Sequence, residues 1–297
     1  TRAAIALEVR QRLTQLLDLA NTKDASNEYL FSGYKGQVRP FASTGTGFTY
    51  SGDQGTRYLQ VGPSTQVAVG DSGSDVFMAI RNGNGTFTTL NNSANTGTGV
   101  IDPGTVSGTF VRDTYTITFT QALPTNPITY SVTGVTSGAV LTNVTYTSGA
   151  NIVFNGVQVK VEGTPANGDS FTVSPSANQD IFTTVQNFIN ALGTTVSSPA
   201  SQANVNNAMN RTLTDMDQAL GNIIAVRTRV GARLNTIDSQ QDTNDAFALQ
   251  MQQTLSQIQD LDYAEAASRL NLQQTILQAA QQAFIKVQGL SLFNFLR

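Results

Sequence analysis

The chain has 297 residues and a formal net charge of -3, and only 12% of its residues are charged. It contains no histidine and no cysteine, which excludes Ser-His-Asp triads, Cys-His dyads and ordinary zinc sites. The acidic balance argues against a nucleic-acid-binding surface, which needs a basic face, and no apolar run is long enough to span a bilayer.

The first predicted element is an amphipathic helix, because apolar residues recur at helical spacing at its start: Ile5, Val9, Leu13 and Leu16. A turn then leads into an aromatic run that is broken by Gly33 and contains Tyr29, Phe31 and Tyr34. Aromatic residues in a turn that closes a helix favour local core packing; a stacking platform for sugars or bases is the alternative. We predict that residues 1–41 form the N-terminal helix and turn of a helical rod.

Residues 42–177 have a different texture, rich in Gly, Thr, Ser and Asn, with apolar residues at every second position. Tyr115, Ile117 and Phe119 show this alternation, which predicts antiparallel strands separated by turns. We expect an inserted, β-rich outer domain, either single or divided into two subdomains near residue 82. Its two ends should leave and re-enter the rod at neighbouring points.

Residues 178–297 are predicted to be helical and to complete the rod. Between Val205 and Ile237 the apolar positions alternate in steps of four and three, the period of a coiled-coil seam. A polar turn at Asp238–Asn244 should separate this helix from a second one, and two long helices joined by a short loop should pack antiparallel. The residues expected to be buried are Val9, Leu13, Leu16, Leu213, Leu220, Ile223, Leu234, Met251, Leu255 and Ile258.

These patterns predict an α+β multidomain protein, with a long, antiparallel, coiled-coil-like helical rod and an inserted antiparallel β domain. The segment 271–297 is singled out because Lys286 is its only charge before Arg297, whereas an ordinary surface helix carries charges on its outer face. We interpret it as an assembly helix that is buried only in a polymer. The alternatives are burial in the chain's own core or a membrane-surface helix, which the scarcity of basic residues disfavours.

The predicted assembly interface combines apolar residues of this helix with two arginines of the preceding one. Arg229 and Arg233 share a helix face and could pair with acids on a neighbouring subunit, although a solvated or intrahelical role fits them as well. The predicted interface residues are Leu272, Ile276, Phe284, Val287, Leu290, Phe293, Arg229 and Arg233.

No catalytic, cofactor-binding or metal site is predicted. The Gly-rich stretches at 83–85 and 97–99 lack the strand, helix and Lys-Ser/Thr context of a phosphate loop and are interpreted as turns. A glycan-binding or glycan-active protein that uses Glu162 and Asp169 is a less favoured alternative, since neither acid has a visible partner.

Three stretches carry a resemblance to a known family. They are YLFSGYK at 29–35, RYLQVGPSTQVAVGDSGSDVF at 57–77 and QGLSLFNFL at 288–296. The chain resembles the hook–filament junction proteins of the flagellin family, over roughly residues 1–80 and 178–297. The resemblance implies that the C-terminal helix pairs with an N-terminal segment to line the inner tube of the flagellar axis. Because the chain starts at Thr1, we expect a fragment without the native N-terminus that is monomeric in isolation.

The resemblance also implies a function and a location. We expect a structural component that links hook-associated protein 1 to the flagellin filament by helical packing and assembles into a ring. Its expected partners are these two proteins and a flagellar export chaperone, with no nucleic acid and no membrane. Export through the flagellar type III system would make it extracellular. A flagellin or minor filament subunit is the alternative within the same family.

Overall fold

A computed structural model describes residues 2–45, 47–259 and 262–289 of the protein. The chain divides into two compact units, residues 1–237 and 238–297. The helices are α1 (Arg2–Ala20), α2 (Ile181–Gly193), α3 (Pro199–Gln259) and α4 (Tyr263–Gly289). A long C-terminal helical region and an antiparallel β region confirm the predicted α+β class.

The strands all lie between α1 and α2, and every pairing is antiparallel. They are β1 (Phe41–Thr44), β2 (Gly47–Tyr50), β3 (Tyr58–Gln60), β4 (Gln66–Ala68), β5 (Ile80–Arg81), β6 (Phe87–Asn91), β7 (Val100–Ile101), β8 (Thr105–Val106), β9 (Tyr115–Thr120), β10 (Thr129–Gly134), β11 (Gly138–Thr145), β12 (Asn151–Phe154), β13 (Val157–Glu162), β14 (Ser170–Pro175) and β15 (Asn178–Gln179). A π-helical turn, Ser74–Met78, precedes β5.

Strands β6 to β14 enclose one hydrophobic cluster, which we call the β core. A five-stranded sheet in the order β11-β10-β9-β14-β6 and the group of β12, β13, β7 and β8 both contribute to it. Alternate residues of β9 are buried, as the period-two pattern predicts: Tyr115, Ile117 and Phe119 are fully buried. The Asn155-Gly156 turn that joins β12 to β13 has φ angles of 43° and 81°, which suit a tight hairpin.

A second cluster, which we call the helical core, joins α1, α2 and α3 to the first strands. Phe41 of β1 lies at its centre, with ring centroids 5.3 Å from Phe77 and 5.2 Å from Phe182 of α2. Asp180 caps α2 by accepting a 2.7 Å hydrogen bond from the backbone N–H of Thr183. Residues 42–177 are therefore shared between two cores that meet near residue 82, but their division into domains remains a prediction.

A two-stranded ribbon, which we call the neck, connects the β core to the helical core. Strand β5 leads out of the helical core and β15 leads back into α2, and they pair through Asn178 with Arg81 and Gln179 with Ile80. The two ends of the β core therefore lie next to each other, as predicted for the ends of the insertion, although the insertion was predicted to start at residue 42 and not near residue 82.

The predicted turn at Asp238–Asn244 is wrong, because α3 runs through this stretch to Gln259. The stretch is polar, but it contains neither glycine nor proline, and polar residues alone do not end a helix. The chain therefore does not reverse direction at Asp238–Asn244, as the prediction of two antiparallel helices required.

The burial prediction is correct only in part. Leu13 is buried and Val9, Leu16 and Ile223 are half-buried, whereas the other predicted core residues are exposed: Leu213, Leu220, Leu234, Met251, Leu255 and Ile258. Val205, the first residue of the apolar stripe, is buried, but the other buried residues of α3 are small or polar: Ala203, Asn207, Thr212, Asp215 and Ala219. The prediction failed because it assumed that the apolar stripe of α3 faces the chain's own core.

Candidate assembly interface

Helix α4 exposes its large apolar side chains. None of its residues is buried. The predicted interface residues Leu272, Ile276, Phe284 and Val287 are 61%, 58%, 63% and 68% exposed. Leu290 and Phe293 lie outside the described residues. A helix with this surface can bind other chains by apolar packing, because fully burying such a side chain gains about 1.5–3 kcal/mol.

The sequence analysis missed part of this apolar surface. Leu270, Leu277 and Ile285 are 56%, 59% and 67% exposed, and they widen the arc formed by the predicted residues. The signal was available, because Leu270, Leu277 and Phe284 repeat every seven residues, which places them on one side of a helix. In the part of the chain that the structure describes, no helix is long and apolar enough to cross a membrane.

The two arginines predicted for the interface lie on α3 and meet the same acid within the chain. The guanidinium of Arg233 makes two hydrogen bonds to the carboxylate of Asp71, of 2.7 and 2.6 Å. These bonds raise the pKa of Arg233. Arg229 is 3.8 Å from the same carboxylate and half exposed. Arg233 thus stabilises α3 against the segment before the π-helical turn, and an intersubunit role for either arginine remains a prediction.

An apolar cavity of about 570 Å³ lies beside this ion pair, between the aromatic turn, the β3–β4 hairpin and α3. Its apolar lining includes Leu30, Phe31, Val67, Val226 and Val230. Asp71, Arg227 and Arg233 supply the charged part of the lining. The cavity can accept apolar side chains by packing, but it offers few groups that would orient a polar substrate.

The aromatic residues of the turn differ in their surroundings: some pack in the helical core and others are exposed. The ring of Phe31 packs edge-on against Phe77, with centroids 5.0 Å apart, in the helical core. Tyr34 is 64% exposed, and its hydroxyl donates a hydrogen bond to the backbone carbonyl of Thr56. Gly33 adopts φ 69°, and a side chain there would collide with Asp53, so the turn requires glycine.

The acids considered for glycan chemistry do not form a pair. Asp169 is buried, and its carboxylate accepts hydrogen bonds from the backbone N–H groups of Thr96, Gly97 and Ala166. Glu162 is exposed at the end of β13. The bonds to Asp169 close a loop, which is a structural use of the acid. Among the described residues, no cluster of three or more acidic side chains could hold a metal ion.

Comparison with known proteins links both parts of the fold to the flagellum. The family model of the bacterial flagellin C-terminal helical region matches residues 213–296. The model of the flagellar hook-associated protein 1 D2-like domain matches residues 90–175, which covers most of the β core.

Curated relatives and solved structures point to one group. Flagellar hook-associated protein 3 of Escherichia coli K12 is 25% identical over 99% of this chain, which spans 66% of that relative's length. The crystal structure of flagellar hook-associated protein-3 from Legionella pneumophila is 37% identical with a TM-score of 0.83, covering 88% of this chain and 82% of that one. FlgL from Xanthomonas campestris is 32% identical with a TM-score of 0.79, covering 86% and 82%.

The long, sparsely charged helical region and the antiparallel insertion therefore define a flagellin-type structural protein of the bacterial flagellum. Identities of 37% and 32% over most of both chains identify the group within that class. The chain belongs to the FlgL family, the flagellar hook-associated protein 3 family.

Proposed function

We propose that the chain is a structural subunit of the junction between hook-associated protein 1 and the flagellin filament, where it assembles into a ring by helical packing. The observation that carries the proposal is the exposed apolar surface of α4, because such a surface becomes stable when neighbouring chains cover it. A second solved structure from Legionella pneumophila, 37% identical to this chain, is that of the flagellar junction protein FlgL.

The composition of α4 suits repeated packing against other helices. Its second half carries glutamines and a single charge, Lys286, so that amides border the apolar arc. Amides can hydrogen-bond across an interface without the desolvation cost of a buried charge. We propose that an export chaperone covers this surface before assembly, and that the protein leaves the cell through the flagellar type III channel.

We also propose that the protein has no catalytic activity. The supporting observation is that Asp169, the buried acid of the glycan-active alternative, uses both carboxylate oxygens to hold backbone N–H groups. A glycan panel tests this point, and turnover of any member would contradict it.

Co-sedimentation of the full-length protein with purified hook-associated protein 1 tests the junction role. Deleting residues 271–297 should abolish co-sedimentation and leave the β core folded. The double variant Ile276→Ser and Phe284→Ser should weaken binding at least about tenfold, because it removes two apolar side chains from the interface. The double variant Glu265→Ser and Arg269→Ser, which changes two exposed, charged residues of the same helix outside the segment 271–297, is the matched control and should bind normally. Normal binding by the deletion variant would refute the assembly role of this helix.

The predicted monomeric state of the present chain has its own test. Light scattering at micromolar concentration should show a monomer if the assembly helix requires partners that the chain does not supply. A stable, saturating homo-oligomer would contradict this prediction.

A further inference from the structure

The neck is the narrow link between the two cores. Hydrogen bonds join it to Ser176, which directly follows β14 of the β core. The guanidinium of Arg81 in β5 donates a 2.8 Å hydrogen bond to the carbonyl of Ser176, across the ribbon. The carbonyl of Asn82 accepts a 2.7 Å hydrogen bond from the hydroxyl of Ser176. A two-stranded ribbon alone is a weak constraint on orientation, because isolated two-stranded pairs are marginally stable.

A carboxylate from α3 meets the neck from the side. Asp215 is 3% exposed, and one of its oxygens accepts a 2.7 Å hydrogen bond from the backbone N–H of Gly83, just beyond β5. Its other oxygen is 3.3 Å from the side-chain amide nitrogen of Gln179 in β15. Burial raises the pKa of Asp215, and the bond to Gly83 acts in the opposite direction. The buried carboxylate of Asp215 therefore contacts both sides of the neck: the backbone just beyond β5 and a side chain of β15.

A second buried polar residue of α3 contacts the β core itself. Asn207 is 4% exposed; its side-chain amide donates to the carbonyl of Gly99 at 3.0 Å and accepts from the N–H of Ile101 at 2.8 Å. These two bonds flank β7 (Val100–Ile101) in the way that a neighbouring strand would. Asn207 and Asp215 are two helical turns apart, about 12 Å along the axis of α3.

We propose that Asp215 and Asn207 are positioning residues that fix the orientation of the β core on α3, so that the insertion and the helical core move as one body. We call this pair the neck clamp. Hydrogen bonds from buried side chains are directional, whereas apolar contact tolerates sliding. Both residues of the clamp hydrogen-bond to backbone groups, which have no side-chain rotamers. The position of the β core relative to α3 is therefore fixed at two points. This explains why a helix with an exposed apolar stripe buries polar residues on its other face.

Distance measurements between one spin label on the β core and another on α3 test the clamp. The chain has no cysteine, so Val135→Cys beside β10 and Ala225→Cys on α3 provide unique, exposed labelling sites. The unaltered clamp should give a single narrow distance distribution. Combining Asp215→Ala with Asn207→Ala should widen it about twofold, because the directional bonds are lost. The Asp217→Ala and Asn206→Ala variants, which change exposed residues of the same helix, should leave it unchanged.

A conservative variant separates positioning from folding. Asp215→Ala alone should widen the distance distribution, whereas Asp215→Asn keeps an oxygen that can accept from Gly83 and should leave the distribution nearly as narrow as in the unaltered protein. A distribution as broad as that of Asp215→Ala would contradict the role of the Gly83 bond. An unchanged distribution in the Asp215→Ala and Asn207→Ala double variant would overturn the clamp. Loss of the far-UV circular dichroism of the folded chain would also overturn it, because a positioning residue leaves both cores folded.

Discussion

The β core and helix α4 contain similar apolar side chains but use them in opposite ways. Phe119 and Phe171 of the β core are fully buried within the chain, whereas Ile276 and Phe284 of α4 are 58% and 63% exposed. The β core therefore obtains its stability from its own residues. The apolar residues of α4 are exposed, so we expect them to contribute little to the stability of the isolated chain, and we propose that they serve assembly. The comparison shows that apolar composition alone does not distinguish a core from an exposed surface.

The largest expected effect is a difference in the free energy of unfolding between the loss of a buried phenylalanine, Phe119, and the loss of an exposed one, Phe284. Phe119 packs with ring centroids 5.1 Å from Tyr146 and 5.8 Å from Phe171. Phe119→Ala should lower the free energy of unfolding by about 3–5 kcal/mol, because it removes a large buried ring and leaves a cavity. Phe284→Ala should change it by less than about 0.5 kcal/mol, as expected for an exposed side chain.

Urea unfolding followed by tyrosine fluorescence measures both variants, since Tyr115, Tyr130 and Tyr146 all contact the β core. Equal losses in the two variants would break the comparison, because they would show that α4 is also a core element of the isolated chain.

A smaller effect is expected at the ion pair that joins α3 to the helical core. The side chains of Arg233 and Asp71 are 23% and 11% exposed. Arg233→Ala should cost about 1–3 kcal/mol, because it leaves the carboxylate of Asp71 without its paired guanidinium. The half-exposed Arg229 is the control, and Arg229→Ala should cost at most about 1 kcal/mol. Thermal unfolding followed by circular dichroism compares them, and a larger loss for Arg229→Ala would contradict the assignment.

The smallest expected effect is a change in the pH dependence of stability. Burial alone would raise the pKa of Asp113, but hydrogen bonds from Ser137, Thr136 and Thr114 outweigh it and hold the pKa well below its usual range. The lowered folded-state pKa means that Asp113 stabilises the fold above the ordinary aspartate pKa. This contribution is lost as the pH falls toward the folded-state value.

The Asp113→Asn variant should therefore lose less stability than the unaltered protein between pH 6 and pH 3, about the range in which an ordinary aspartate titrates. Asp102 acts with the opposite sign: burial raises its pKa, so its contribution is present in acid and is lost as the pH rises through the folded-state value. Urea midpoints across this range test the prediction, and identical slopes in the two proteins would contradict it.

Much of the secondary structure could be predicted from local patterns. The spacing of Val9, Leu13 and Leu16 predicted α1, and the alternation of Tyr115, Ile117 and Phe119 predicted β9. The continuation of α3 through Asp238–Asn244 could not be predicted from polarity, because a polar helical stretch and a polar loop differ mainly in their glycine and proline content.

The candidate interface was only partly accessible to sequence reasoning. The scarcity of charge singled out the helix, and the spacing predicted Leu272 and Ile276, whose role in assembly remains a prediction. Leu277 and Ile285 were missed because a single seam was traced along a helix whose apolar arc is wider. The short-range pattern also gave no sign that Arg233 would reach Asp71, which is 162 residues away in the chain.

The sequence by itself indicated most of the helices and strands, and its local resemblances identified the flagellin family. This is because periodicity and short motifs depend on residues that are close along the chain. Only the tertiary structure decided which face of α3 turns inward. An apolar stripe is buried only where a partner surface exists; Ile223 and Val226 of α3 pack against the helical core, but next to Asn207 and Asp215 the surface that the chain supplies is the backbone of the neck and of β7. That surface is matched by Asn207 and Asp215, and it leaves Leu213 and Leu220 exposed.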